Sequence, residues 1–124
     1  MKRHILVVDD EAQIRDLLSM FLGGKGFAVS TAATAAETLR FLGDHPVDLV
    51  VLDIGLQEED GLQVLAKIKA GHPHLRVIML TGMGFVEDLL VEAHQHGADG
   101  YVSKVLPLDE LLLAIERVMK NVPA

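Results

Sequence analysis

Five times along the chain a short run of β-rich apolar residues gives way to a longer segment of helical period, and this alternation constrains the fold most. The strand candidates are His4–Val8, Phe27–Ala32, Asp48–Leu52, Arg76–Leu80 and Gly100–Val102. Three of them contain unbroken apolar runs, as strands do when both faces of their sheet are covered. Between them Ile14, Leu17, Leu18, Phe21 and Leu22 recur at helical spacing, as do Leu65 and Ile68, Leu89, Leu90 and Ala93, and Leu111, Leu112, Ile115 and Met119. Each stripe reads as core. Alternating strands and helices predict an α/β fold with a central parallel sheet and helices on both faces, doubly wound.

Punctuation divides the chain the same way. Gly23-Gly24 and Gly26 follow the first helical stripe, His45-Pro46 the second, Gly71-His72-Pro73 the third and Gly97 the fourth. Thr34 with Glu37 three residues on, opening the Ala35–Leu42 stretch, reads as a capping box. Gly23-Gly24-Lys25-Gly26 superficially evokes a phosphate loop but lacks the required order, so a helix C-cap explains it. Residues 1–120 are expected to form one domain, with 121–124 a tail or the start of a linker.

Half the residues are hydrophobic, yet no stretch approaches the roughly 18 consecutive apolar residues of a membrane span. The charged Met1-Lys2-Arg3-His4 leads straight through Ile5–Val8 to Asp9-Asp10 with no signal-peptide core, which predicts a cytoplasmic location. The absence of cysteine excludes disulfides and thiolate chemistry. A net charge of −7 makes direct binding to nucleic acid or an anionic membrane unfavourable and favours protein partners.

Ligands of a doubly wound sheet bind outside the carboxyl ends of its strands. Asp9 and Asp10 follow the first expected strand and Asp53 the third, which brings three carboxylates to that edge. Ionised together at 4 Å they would repel by about 4 kcal/mol per pair at an effective dielectric near 20. A hard cation such as Mg²⁺, held by carboxylates and phosphate oxygens, offsets that best. Asp9-Asp10 taken alone would read as a helix cap, and Asp53 as a turn residue. Thr81 after the fourth strand and Lys104 after the fifth decide against this, because caps do not require polar groups from four strand ends.

At this point the residues resemble a family. Ile5-Leu6-Val7-Val8-Asp9-Asp10-Glu11, Leu49-Val50-Val51-Leu52-Asp53, Asp60-Gly61, Ile78-Met79-Leu80-Thr81-Gly82 and Gly97-Ala98-Asp99-Gly100-Tyr101-Val102-Ser103-Lys104 are similar to the motifs of the CheY-like receiver domains of bacterial response regulators, across nearly the whole chain. The resemblance implies a flavodoxin-like sheet of five parallel strands in the order 2-1-3-4-5. It implies that Asp53 takes a phosphoryl group from a histidine kinase or phosphotransfer protein. Mg²⁺ would be held by Asp9, Asp10, Asp53 and the Gly55 carbonyl, with Asp10 ranked above Asp9 as direct ligand. Lys104 would pair with Asp53 and then with the phosphoryl group; Thr81 would bond the phosphoryl oxygen, and Tyr101 would move from exposed to buried. Such a chain catalyses its own phosphorylation but is chiefly a signalling switch, in a two-component system or phosphorelay. Output would pass through the last two helices and last strand, where Val91 and Leu113 leave a homodimer open as an alternative.

Three departures from the family pattern matter. Gln57 stands where the family commonly has proline. Lys104 is followed by Val105 rather than proline, so a trans bond and a shifted loop are expected, with Pro107 in the first turn of the last helix. Gly55 and Met83 offer no polar side chain to position an attacking water, which predicts slow dephosphorylation. Gly55 also stands where aspartyl phosphatases have a second acid, which disfavours that activity. The remaining alternative is a non-phosphorylated protein-interaction module. The histidine pairs His72/His74 and His94/His96 read as solvated helix-end residues, since positions two apart do not share a helical face.

Overall fold

The computed structural model describes residues 2–56, 59–82, 87–104 and 108–120. Strands β1 (His4–Val8), β2 (Ala28–Ala32), β3 (Leu49–Asp53), β4 (Arg76–Thr81) and β5 (Gly100–Ser103) alternate with helices α1 (Ala12–Gly24), α2 (Ala35–Asp44), α3 (Gly61–Gly71), α4 (Glu87–Gln95) and α5 (Leu108–Lys120). The strands form one parallel sheet in the order β2-β1-β3-β4-β5. This is the flavodoxin- and CheY-like arrangement that the alternation and the resemblance led us to expect.

Because side chains alternate across a strand, each central strand feeds two cores. Leu6, Val8, Val50, Leu52, Val77 and Met79 pack against Leu42 of α2, Leu65 and Ile68 of α3 and Ala93 of α4. Ile5, Val7, Leu49, Val51, Ile78 and Leu80 pack on the other face against Leu18 and Leu22 of α1 and Leu111 and Ile115 of α5. Full burial of both faces explains why these strands read as unbroken apolar runs. Leu17 and Leu90, expected in the core, lie on the outer flanks of their stripes and are 47% and 40% exposed. Among the described residues no helix is long and apolar enough to cross a membrane.

Local chemistry sets the element ends. Gly26, at φ +98°, completes the C-terminal turn of α1, where the Phe27 amide donates to the Leu22 carbonyl at 3.2 Å. That bond takes Phe27 out of β2, which begins one residue later than its composition suggests. Thr34 caps α2 by accepting from the Glu37 amide at 3.1 Å, and the Glu37 carboxylate accepts from the Ala33 amide at 2.6 Å. The box therefore closes one residue before the cap. Asp48 precedes β3, its carboxylate accepting the His4 amide at 2.8 Å. At the other ends β3, β4 and β5 each run one residue further than expected, into Asp53, Thr81 and Ser103. The Ile54 amide bonding to Leu80 and the Lys104 amide to Thr81, at 2.8 and 2.7 Å, carry the pairing that far. Val105, Pro107, and with them the bond after Lys104, lie outside the described residues, as do Gln57, Met83 and the segment 121–124.

Gly61 shows how tightly α3 is seated beneath the edge. A Cβ there would stand 2.6 Å from the Ile54 Cα and 2.8 Å from the Ile54 carbonyl oxygen, and would also meet the Asp53 carbonyl. These are backbone atoms that cannot turn aside. Gly61→Ala should destabilise the fold by about 2–3 kcal/mol. Gly43→Ala, in α2 with nothing within 4 Å of the added carbon, should be neutral or stabilising by about 0.5–1 kcal/mol. Urea unfolding of both variants checks this, and equal effects would remove the steric account.

Candidate functional site

The strand register carries five polar side chains to the carboxyl edge of the sheet. Asp9 follows β1, its amide bonding to the Ala32 carbonyl at 3.1 Å, and its side chain is fully buried. Asp53 ends β3 at 3% exposure, and Thr81 ends β4 fully buried. Asp10 is half-buried, and each of Asp9, Asp10 and Asp53 offers a carboxylate oxygen within 4.8 Å of the others. Lys104 follows β5 and inserts its ammonium among them. Its Nζ is 2.7 Å from Asp9 Oδ2, 3.0 Å from Asp53 Oδ2 and 3.4 Å from Glu11 Oε1.

The carboxylates are also oriented from below. Asp53 Oδ1 accepts the Gly55 amide at 3.0 Å, and Asp9 Oδ1 accepts the Glu11 amide at 2.9 Å. The Asp9 carbonyl accepts from Arg15 Nη1 at 2.8 Å. Asp9 thus bonds an amide at the entry to α1, but Glu11 occupies the cap position and makes no side-chain cap bond. The sequence reading gave no role to Glu11 or Arg15. A glutamate directly after an acid pair, at a helix start it caps poorly, is the signal for the first; nothing in the sequence points to the second.

Electrostatics follow from this packing. Burial pushes the Asp9 carboxyl above the ordinary aspartate range; the nearby Lys104 ammonium opposes the rise and Asp53 adds to it. Burial pulls Lys104 down, but its close pairing with Asp9 and Asp53 outweighs it and holds the ammonium above the ordinary lysine range. Both partners move up because the contact that secures the lysine charge does not fully offset the desolvation of Asp9. Among the described residues one ammonium, that of Lys104, faces the carboxylates of Asp9, Asp53 and Glu11, so this cluster still lacks positive charge. Asp9 Oδ2, although close to Lys104, receives no aligned N–H. An all-oxygen acidic donor set with a lone pair open to a cation fits a hard divalent ion.

Tyr101 on β5 is half-buried and packs against the core shared by α2, α3 and α4. Its exposure lies between the exposed and buried positions that the resemblance implies for the switch. Gly55 is exposed and engaged through its amide.

A family model described as the response regulator receiver domain matches residues 5–116. The chain belongs to this family. It is 38% identical to the transcriptional regulatory protein GlrR of Escherichia coli K12 over 95% of this chain and 26% of that protein. It is 37% identical to the DNA-binding transcriptional regulator NtrC of the same organism over 98% of this chain and 26% of that protein. The receiver domain thus spans about a quarter of the length of the curated relatives it matches. Among solved structures, the receiver domain of NtrX from Brucella abortus superposes with a TM-score of 0.88 at 40% identity, covering 94% of this chain and 98% of that one. A CheY-like receiver domain protein from Methanospirillum hungatei superposes at 0.89 with 31% identity, covering 97% and 96%. The family is that of two-component signalling, and a phosphoacceptor role fits the acidic site.

A charge deficit of this kind predicts that stability depends on cation and pH. The pKa of Asp9 is raised on folding, so its contribution to stability is greatest below its unfolded value and is lost as pH rises through its folded value. Metal binding needs the ionised carboxylates, so its stabilisation runs the opposite way. At neutral pH, Mg²⁺ at 100 times its Kd should raise stability by about 2.7 kcal/mol, and the gain should shrink on mild acidification. Thermal unfolding with and without Mg²⁺ checks this; an Asp10→Asn variant with an undiminished response would remove Asp10 from the metal site.

Proposed function

We propose that Asp53 is the phosphoacceptor of this receiver domain and that Asp9, Asp10, Asp53 and the Gly55 carbonyl hold Mg²⁺. The observation that carries the reading is the Lys104 ammonium lodged between the buried carboxylates of Asp9 and Asp53. It fixes the nucleophile and supplies a cation beside the place where phosphoryl charge must be accommodated. An Asp53 oxygen forms the new O–P bond as the N–P bond of a phosphohistidine donor breaks. The bonding pair remains on an imidazole protonated at its other nitrogen, which leaves neutral. Mg²⁺, when bound, neutralises charge on the transferring group. Lys104 then exchanges its Asp53 contact for a phosphoryl oxygen, and the Thr81 hydroxyl donates to another.

The donor in this reading is a histidine kinase or phosphotransfer protein, working in the cytoplasm. Movement at Thr81 is passed to Tyr101 and to the surface of α4, β5 and α5, where Leu90, Val91 and Leu113 are exposed. That surface takes a protein partner or a second copy of the domain. The relatives named as transcriptional regulators are about four times longer, and the −7 charge of this segment sets it against direct contact with a phosphate backbone.

Intact mass after treatment with acetyl phosphate and Mg²⁺ tests the assignment. One phosphoryl adduct is expected, lost with EDTA and in Asp53→Asn, and persisting for minutes or longer because Gly55 presents no polar side chain. No adduct in a folded, Mg²⁺-binding protein would favour the interaction-module alternative, and a lifetime of seconds would overturn the stability of the adduct. Tyr101 is the sole tyrosine and there is no tryptophan, so intrinsic fluorescence reports on it alone. Its intensity should change on phosphorylation of wild type and not of Asp53→Asn; an unresponsive signal would remove Tyr101 from the switch.

A further inference from the structure

We propose that Glu11 is a positioning residue for phosphoryl transfer, acting through Lys104; the inference rests on the roles assigned to Asp53 and Lys104 above. Glu11 stands at the N-cap of α1, where side chains ordinarily accept from first-turn amides, yet it makes no such bond. Its carboxylate turns instead to a residue 93 positions away, with Oε1 3.4 Å from Lys104 Nζ. A lysine ammonium has three N–H donors and no acceptor. Around Lys104 stand three carboxylates, those of Asp9, Asp53 and Glu11.

The three are not equivalent. Asp9 and Asp53 are buried, so withdrawing Lys104 from either leaves a desolvated charge exposed to its neighbour. The Glu11 side chain is 63% exposed, and solvent takes over when its contact breaks. Phosphoryl transfer requires Lys104 to turn donor capacity from carboxylates to phosphoryl oxygens. Glu11 is the partner that holds the ammonium toward the start of α1 and competes with that turn at little cost to folding, since an exposed ion pair contributes little stability. It sets how readily Lys104 is released.

The test is the rate of adduct formation from acetyl phosphate at saturating Mg²⁺, read by intact mass, with urea unfolding alongside. Glu11→Gln should speed phosphorylation about two- to fivefold, the rate equivalent of an exposed ion pair, at unchanged stability. Glu11→Asp keeps the charge but is one methylene shorter, so it should also be fast, and the ¹⁵N shift of Lys104 Nζ should move in both variants. A wild-type rate in Glu11→Gln overturns the proposal. So does a wild-type rate in Glu11→Asp beside a fast Glu11→Gln, which would assign the effect to charge acting directly on the donor. Absence of adduct in wild type and every Glu11 variant overturns the Asp53 assignment itself, and the inference with it.

Discussion

A single ammonium set among buried carboxylates organises the working edge of this domain. Lys104, just past the edge strand β5, reaches Asp9 after β1 and Asp53 at the end of β3, at 2.7 and 3.0 Å. Without it the two acids would face each other desolvated, an arrangement that proteins avoid by protonation or by importing a cation. The raised pKa of Asp9 shows that one lysine does not complete the compensation. The cluster is therefore held together and left short of positive charge at once, which suits a site whose proposed work is to receive a metal ion and a phosphoryl group.

Precise placement of so many charges depends on an unyielding base. The strands beneath them are buried on both faces, so a shift in register would move apolar side chains of two cores together. Gly61 lets α3 begin against the backbone of Asp53 and Ile54, and its amide bonds to the Ile54 carbonyl at 3.0 Å. At the opposite edge of the sheet, Asp99 accepts from Lys69 Nζ at 3.0 Å and from the Val77 amide at 2.9 Å. Arg76 joins the same carboxylate at 3.3 Å. This clip ties the loop before β5 to β4 and α3 and stiffens the edge remote from the acids.

Much of this was legible in the sequence because it rests on local pattern. Unbroken apolar runs mean strands covered twice, and helical spacing between them supplies the covers. Asp9, Asp10, Asp53, Thr81 and Lys104 could be placed on one edge because a parallel doubly wound sheet puts all its strand ends there. The errors lay where a residue's fate depends on its neighbours in space. Leu17 and Leu90 fit their stripes but face outward, since the width of an apolar face is set by what packs on it. Phe27 looks like a strand residue, but its amide is taken by the α1 cap.

Sequence alone thus determined the α/β class, the element order and the set of chemical groups at the carboxyl edge, because periodicity and strand ends are properties of short segments. Tertiary structure alone decided the partners. Glu11 and Lys104 lie 93 residues apart, and no local pattern says that a helix-start glutamate forgoes the cap to meet that ammonium. Nor does any pattern rank Asp9 as fully buried and Asp10 as half-buried, although they are adjacent. The desolvation that raises one carboxyl and the contacts that hold Lys104 charged are sums over residues brought together only when the sheet is assembled.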